Sequence, residues 1–333
     1  MENILQNKLQ LAISPTPLYR LDTISEKENS EIWIKRDDMT GSQLSGNKVR
    51  KLEYLLKDAI DNNYDTIITC GGEQSNHSRA TAIASRRLGL DCHLVLRKTG
   101  EGPSGNWLLD MISGATFKWI ASKEYKNRNI IMEKEANKLS EKGKKPYIIP
   151  EGGSNPIGVL GYIAAAKEIA RQAKNNSKYP ENITVAVGTT GTYVGLLLGF
   201  ALEGLCTKII GISSGEKSEV FVQKAKELSK ATIDKYNLPI DPEKLEILIV
   251  DRFIGGGYGI INSDIARFIM NFAYETGIIL DQTYTAKAAM GALEIMPKPK
   301  RENGINIIIH TGGLFGLFTK GQFFRELFFL RKD

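Results

Sequence analysis

Lys48 and Lys51 sit one helical turn apart in Ser45-Gly46-Asn47-Lys48-Val49-Arg50-Lys51-Leu52-Glu53, a Gly-Asn entry into a helical pattern that displays both amines on one face. An amine held near another cation and away from water loses basicity, so it can act as a Schiff-base nucleophile and a general base. A solvated pair of surface lysines has the same spacing, and composition does not separate the two readings.

A second segment with chemistry in it is Gly188-Thr189-Thr190-Gly191-Thr192-Tyr193-Val194-Gly195, which follows an apolar run and leads into a helical pattern. Unpaired N–H groups at a helix start, the helix dipole and small hydroxyl side chains together make an anion cradle. The run lacks the Lys-Ser/Thr ending of a P-loop and the G-x-G-x-x-G spacing of a dinucleotide site. A tight structural turn is the alternative.

Upstream, Gly71-Gly72-Glu73-Gln74-Ser75-Asn76-His77-Ser78-Arg79 offers another helix start, where Ser75, Asn76 and nearby N–H groups can hold a carboxylate. An ordinary N-cap by Ser75 or Asn76 explains the same residues. His77 is ambiguous in the same way, whereas His93 and His310 fall inside strand patterns. No histidine pair has metal-ligand spacing, so no metal is expected.

The elements that must position these residues alternate along the chain. Short β-branched runs at 32–35, 66–70, 92–96, 147–149, 183–187, 209–213, 247–250 and 305–310 read as strands, with helical periodicity filling the gaps. This is an α/β pattern of parallel strands and helical crossovers. One helix, 264–276, is signed at both ends, with Ser263 expected to cap its first turn and Gly277 to close it. Gly-rich stretches at 71–72, 152–153, 188–195, 255–257 and 312–313 follow strands, where open parallel sheets place ligands, and suggest one shared cleft.

Composition narrows the class. With 333 residues, 42% hydrophobic and 25% charged, the chain can bury one large or two moderate cores. The net charge of +6 is spread among 44 Lys and Arg and 38 Asp and Glu, which argues against a nucleic-acid partner. Cys70, Cys92 and Cys206 suit neither a zinc site nor a disulfide framework, a pattern expected of a reducing, cytoplasmic setting. Neither a secretion signal nor a membrane span is expected from the apolar runs.

Taken in order, 14–18 (SPTPL), 35–38 (KRDD), 46–53 (GNKVRKLE), 71–79 (GGEQSNHSR), 150–158 (PEGGSNPIG), 188–195 (GTTGTYVG) and Tyr284-Thr285 resemble the tryptophan-synthase-β-like pyridoxal-phosphate enzymes. Within these, the chain is similar to the branch of D-cysteine desulfhydrase and 1-aminocyclopropane-1-carboxylate deaminase. The resemblance spans nearly the whole chain. It implies two open, twisted, mostly parallel sheets flanked by helices, with residues 1–48 and 156–333 as a large cofactor domain and 49–155 as a small domain closing over the cleft. A homodimer is implied as well.

The resemblance also assigns roles. Lys48 carries pyridoxal 5'-phosphate as a Schiff base and takes the Cα proton. Thr189, Thr190, Gly191 and Thr192, helped by Lys51, hold the phosphate; Asn76 faces the ring hydroxyl and Thr285 the ring nitrogen. Ser75, with the Asn76 and His77 amides, holds the substrate carboxylate, and Tyr258 and Tyr284 flank the reacting atoms. Deaminases of this branch carry glutamate where this chain has Thr285. A carboxylate keeps the ring nitrogen protonated and the cofactor strongly electron-withdrawing, which opening a cyclopropane needs and losing a thiolate does not. The expected activity is therefore β-elimination from a small amino acid, D-cysteine to pyruvate, hydrogen sulfide and ammonia. The alternatives are cyclopropane deamination to 2-oxobutyrate, cysteate sulfo-lysis, an NAD-dependent oxidoreductase, or a non-catalytic amino-acid-binding protein. Ser213-Ser214, where a ribose-binding acid would stand, counts against the oxidoreductase.

Overall fold

The computed structural model describes residues 1–100 and 102–329. Among these residues ten strands form two sheets. One has six strands in the order β1 (Leu18–Arg20), β2 (Ile32–Lys35), β10 (Gly304–Ile309), β7 (Tyr179–Val187), β8 (Lys208–Ser213) and β9 (Leu248–Val250). The other has four, in the order β5 (Thr116–Ile120), β4 (Asp91–Arg97), β3 (Thr66–Gly72) and β6 (Pro146–Ile148). Every pairing is parallel except β1 with β2.

The central strands are apolar on both faces because helices cover both faces. Ile183, Val185 and Val187 of β7 and Ile305, Ile307 and Ile309 of β10 share a core with the helices Pro156–Asn175 and Gly191–Leu202. Ile34 and Ile308 face the opposite layer, with Ile265, Ile269 and Phe272 of the helix Ser263–Thr276. Around the smaller sheet, Val49, Leu52, Leu55 and Leu56 of the helix Asn47–Asp61 pack with Ile67 and Ala80.

All eight expected strands are present with small shifts of boundary, and β1 and β5 are additional. The cap of the helix Ser263–Thr276 is a correction. Asn262, not Ser263, accepts from Ile265 N at 2.9 Å, while Gly277 closes the far end in the left-handed region at φ 69°.

One buried ion network anchors the helix that carries Lys48. Arg50 grips Asp37 through Nε and Nη2, each at 2.9 Å, and Glu168 through Nη1 and Nη2 at 3.0 and 2.9 Å. Tyr162 donates to Asp37 at 2.6 Å, and Lys35 pairs with Glu168. These contacts bolt the helix Asn47–Asp61 to β2 and to the helix Pro156–Asn175, so Lys48 starts from a fixed backbone. No helix among the described residues is long and apolar enough to cross a membrane.

Candidate active site

Gly46 precedes the helix Asn47–Asp61 at φ 95°, where an L side chain is strained, and a Cβ there would come within 2.9 Å of Thr311 O. Thr40 Oγ1 accepts from Gly46 N at 2.8 Å, Asn47 N donates to Thr311 O at 3.0 Å, and Asn47 Nδ2 donates to Thr192 Oγ1 at 2.9 Å. The turn before Lys48 is thereby tied to the end of β10 and to the Gly191 helix. Lys48 then lines two adjoining cavities of about 250 and 20 Å³. Its amine makes no hydrogen bond among the described residues, and burial, opposed by Glu151, brings its pKa down to about 8. An amine so placed is a usable nucleophile and base near neutrality.

Beside it lies an anion cradle. Thr190 gives the helix Gly191–Leu202 no side-chain cap, and of the first-turn N–H groups Gly191 N donates to Ser154 Oγ at 3.2 Å, a contact that a ligand at this helix start would share or displace. Lys51 is fully buried beneath that start and donates to Gly152 O at 3.1 Å and Ser154 Oγ at 3.4 Å. A Cβ on Gly191 would lie 2.8 Å from Lys51 Nζ, so only glycine lets the helix start come this close. Lys51 has no carboxylate partner among the described residues, and burial and then Lys48 push its pKa well below the usual lysine value. A phosphate at this helix start supplies the missing countercharge, so the residues present fit the phosphate of pyridoxal phosphate.

Ser75 caps the helix Asn76–Arg87 by accepting from Ser78 N at 3.1 Å, and it also lines the larger cavity. The two readings of Ser75 are therefore compatible. Asn76 lines the smaller cavity, and its Oδ1 accepts from Asn106 Nδ2 at 3.0 Å. His77 reaches the larger cavity. Thr69 Oγ1 donates to Ile149 O at 2.9 Å, so the 2.9 Å contact between Thr69 Oγ1 and His77 Nε2 uses the imidazole N–H as donor. Nδ1 is left as a buried acceptor with no partner, on a ring that burial, with Lys48 and Lys51, holds neutral.

Tyr258 and Tyr284 join at their hydroxyls, 2.5 Å apart, with both rings on the larger cavity. Desolvation of the paired hydroxyls raises both phenols, Tyr284 well above the ordinary tyrosine value, although the Tyr258 side chain as a whole is exposed, so both keep their protons near neutrality. Lys287, fully buried, donates to Ser214 O and Gly257 O at 2.8 Å each and so pins the loop before Tyr258 to the end of β8.

Lys48, Ser75, His77, Thr189, Tyr258 and Tyr284 thus meet at one cavity, with Asn76 and Thr192 on its smaller neighbour. Thr190, Gly191 and Lys51 frame the cradle from behind. Thr285 is not in either wall: its hydroxyl donates to Asp281 Oδ1 and accepts from Asp281 N, each at 2.7 Å. Arg97, Tyr125, Arg128 and Glu151 also line the larger cavity, and no sequence pattern assigned them to it. Glu151 lay inside the quoted run 150–158, but no spacing signal pointed to the others. A larger groove, about 950 Å³, runs along the helix Pro156–Asn175 and contains none of the expected site residues.

Comparison with known proteins identifies the family. The family model for the pyridoxal-phosphate dependent enzymes matches residues 9–312. The mitochondrial bifunctional D-cysteine desulfhydrase/1-aminocyclopropane-1-carboxylate deaminase of Arabidopsis thaliana is 41% identical, over 93% of this chain and 79% of its own length. The D-cysteine desulfhydrase of Serratia proteamaculans is 34% identical over 94% of this chain and 95% of its own. The crystal structure of an ACC deaminase homologue, 36% identical, superposes with a TM-score of 0.89 and covers 98% of this chain and 99% of that one. With Lys48 and an anion cradle in one cleft, the chain belongs to the pyridoxal-phosphate-dependent enzymes, in the family whose members are named 1-aminocyclopropane-1-carboxylate deaminase and D-cysteine desulfhydrase.

Proposed function

We propose that this enzyme catalyses β-elimination from a small amino acid, with D-cysteine giving pyruvate, hydrogen sulfide and ammonia. The observation that carries this reading is the protonated phenol pair, Tyr258 and Tyr284, sharing a cavity with the unpaired amine of Lys48. Pyridoxal phosphate, when bound, supplies the electrophilic carbon and the electron sink for chemistry at Cα. Lys48 takes the Cα proton, and Tyr258 or Tyr284 gives one to the departing sulfur. Ser75, with the amides of Asn76 and His77, holds the substrate carboxylate, and Asn76 faces the ring hydroxyl; Thr285, next to the cavity-lining Tyr284 and with its hydroxyl on Asp281, is the side chain assigned to the ring nitrogen and would have to reach it from behind that wall. Thr189 to Thr192 and Lys51 hold the phosphate.

A neutral hydroxyl at 285 supports elimination over cyclopropane opening. The deaminase reading has its own support, because Asp281 puts a carboxylate one hydrogen bond behind Thr285. The reading includes residues 49–155 as a small domain that closes over the cleft and shuts out water.

The test is release of pyruvate or 2-oxobutyrate from purified holoenzyme given D-cysteine, L-cysteine, L-cysteate and 1-aminocyclopropane-1-carboxylate. Pyruvate and sulfide from D-cysteine is the expected result. Release of 2-oxobutyrate from the cyclopropane substrate at a comparable rate would overturn the preference. Tyr258→Phe and Tyr284→Phe, compared in single turnovers, identify the acid by which variant slows.

A further inference from the structure

Arg97 is the last residue of β4, paired in register with Gly72 at the end of β3, at the carboxyl edge where parallel sheets bind ligands. Gly72 has no side chain, and the guanidinium occupies the space above it: a Cβ on Gly72 would lie 3.7 Å from Arg97 Nη2. The guanidinium carbon sits 5.1 Å from the Tyr125 ring centroid and 5.9 Å from that of Tyr258, held between two aromatic faces at the wall of the Lys48 cavity.

The other charges on this wall are accounted for differently. Arg128 binds Glu151 at 2.9 Å, and Glu151 also accepts from Tyr125 Oη at 2.5 Å. Lys224 and Glu216 lie in exposed positions at the rim, with Lys224 Nζ 5.7 Å from the Phe221 ring centroid. Arg97 has no carboxylate within ion-pair distance among the described residues, and its Nε is buried without a hydrogen-bond partner. A planar donor fork with an unused face, fixed by stacking and open to a cavity, is a receptor for an oxoanion or another compact anion.

We propose that Arg97 forms an outer subsite for an anionic group on the substrate's Cβ, so that the substrates are amino acids whose β substituent is an anion or departs as one. This rests on the reading of the Lys48 cavity as an amino-acid site. In the elimination, the Cα proton passes to Lys48 and the Cβ–X bond breaks with both electrons going to X. The departing anion, hydrosulfide from cysteine or sulfite from cysteate, is matched by the Arg97 charge behind Tyr258. No oxidant or reductant enters.

Aspartate and asparagine test the subsite without any elimination, since neither carries a departing group on Cβ and they differ chiefly in charge. Both enantiomers of each, with alanine as reference, are titrated into holoenzyme and followed by the visible absorbance of the cofactor. Wild type is expected to bind one enantiomer of aspartate about tenfold or more tighter than the matching asparagine, the size of a hydrogen bond to a charged group. Arg97→Gln abolishes that preference, and Arg97→Lys retains part of it. Equal affinities in wild type overturn the proposal even if a variant fails to fold. Equal losses for aspartate, asparagine and alanine in Arg97→Gln also overturn it, and assign Arg97 to the α-carboxylate instead. A response to alanine shows that the amino-acid site itself is sound. No response to any amino acid removes that site and the subsite with it.

Discussion

Asn106 donates through Nδ2 to Asn76 Oδ1 at 3.0 Å, and this contact decides which end of the Asn76 amide faces the Lys48 cavity. The orientation is forced from further back. Arg79 is a donor only, and its Nε gives a hydrogen bond to Asn106 Oδ1 at 3.1 Å, so the fully buried Asn106 must turn its NH2 toward Gln74 O and Asn76. Asn76 is left with its own NH2 free to donate to the cofactor. Asn106→Asp keeps the Arg79 contact but turns an acceptor toward Asn76, which must then flip. Cofactor affinity, measured by absorbance titration of the apoenzyme, is expected to fall about tenfold with circular dichroism unchanged. An unchanged affinity would show that Asn106 has no part in orienting Asn76.

Lys51 gives a prediction in which two readouts move in opposite directions. Its amine is fully buried with no carboxylate partner among the described residues, so carrying its charge is costly in the apoenzyme and useful once a dianion is bound. Lys51→Met is expected to raise the melting temperature of the apoenzyme and to weaken pyridoxal phosphate binding by more than about tenfold. Calorimetry on apo and holo protein reads both. A lower apoenzyme melting temperature would mean that the bonds to Gly152 and Ser154 outweigh the desolvation.

How much of this was legible in the sequence depends on whether a residue's role is local. The strands β3, β4, β7, β8 and β10 were readable because each is a buried apolar run. The three-residue β1 and the alternately exposed β5 carry too few apolar positions to stand out and exist through pairing with β2 and β4. Lys48, Ser75, Asn76 and Thr189 were visible because helix starts and Gly-rich turns have local signatures. Arg97 and Lys287 were not, since each acquires its role from a neighbour far along the chain; Asn106 stood out only within Pro103-Ser104-Gly105-Asn106, as a likeness to the desulfhydrases, and its hold on Asn76 comes from the fold. Thr285 owes its expected place, facing the ring nitrogen, to the family resemblance alone; at the start of the helix Thr285–Ile295 its hydroxyl bonds to Asp281, a partner that no local pattern announces.

The Asp37 network makes a prediction at acid pH. Burial alone would raise the Asp37 carboxyl, but Arg50 and Lys35 outweigh it and hold its pKa at about 2, against an ordinary 3.8. A carboxylate depressed in the folded state stabilises the fold fully above its unfolded value and loses that contribution as pH falls, here from about 4 to about 2. The contribution is ~2 kcal/mol. Asp37→Asn is expected to cost ~3–5 kcal/mol at pH 7, because the buried Arg50 loses a bidentate partner. It should also flatten part of the stability loss between pH 4 and 2, with Glu168 supplying the rest. Urea midpoints across that range check both, and an unchanged acid slope would rule out Asp37 as a titrating group of the network.

Lys48 makes the corresponding prediction on the alkaline side, for the apoenzyme, where its amine is free. Burial lowers its pKa to about 8 while Glu151 works in the opposite direction. Only the neutral amine attacks a carbonyl, so the rate of covalent capture of pyridoxal phosphate should follow the unprotonated fraction. That rate is expected to rise about tenfold between pH 7 and 9 and then level off, whereas a solvated lysine near pKa 10.4 would keep climbing through pH 10. Glu151→Gln removes the carboxylate that favours the charged amine and should move the midpoint lower. Stopped-flow absorbance, with borohydride reduction and mass analysis to locate the adduct, follows the reaction, and Lys48→Ala sets the background from other lysines. A capture rate still rising at pH 10 would mean that water reaches the amine and that the cavity does not tune it.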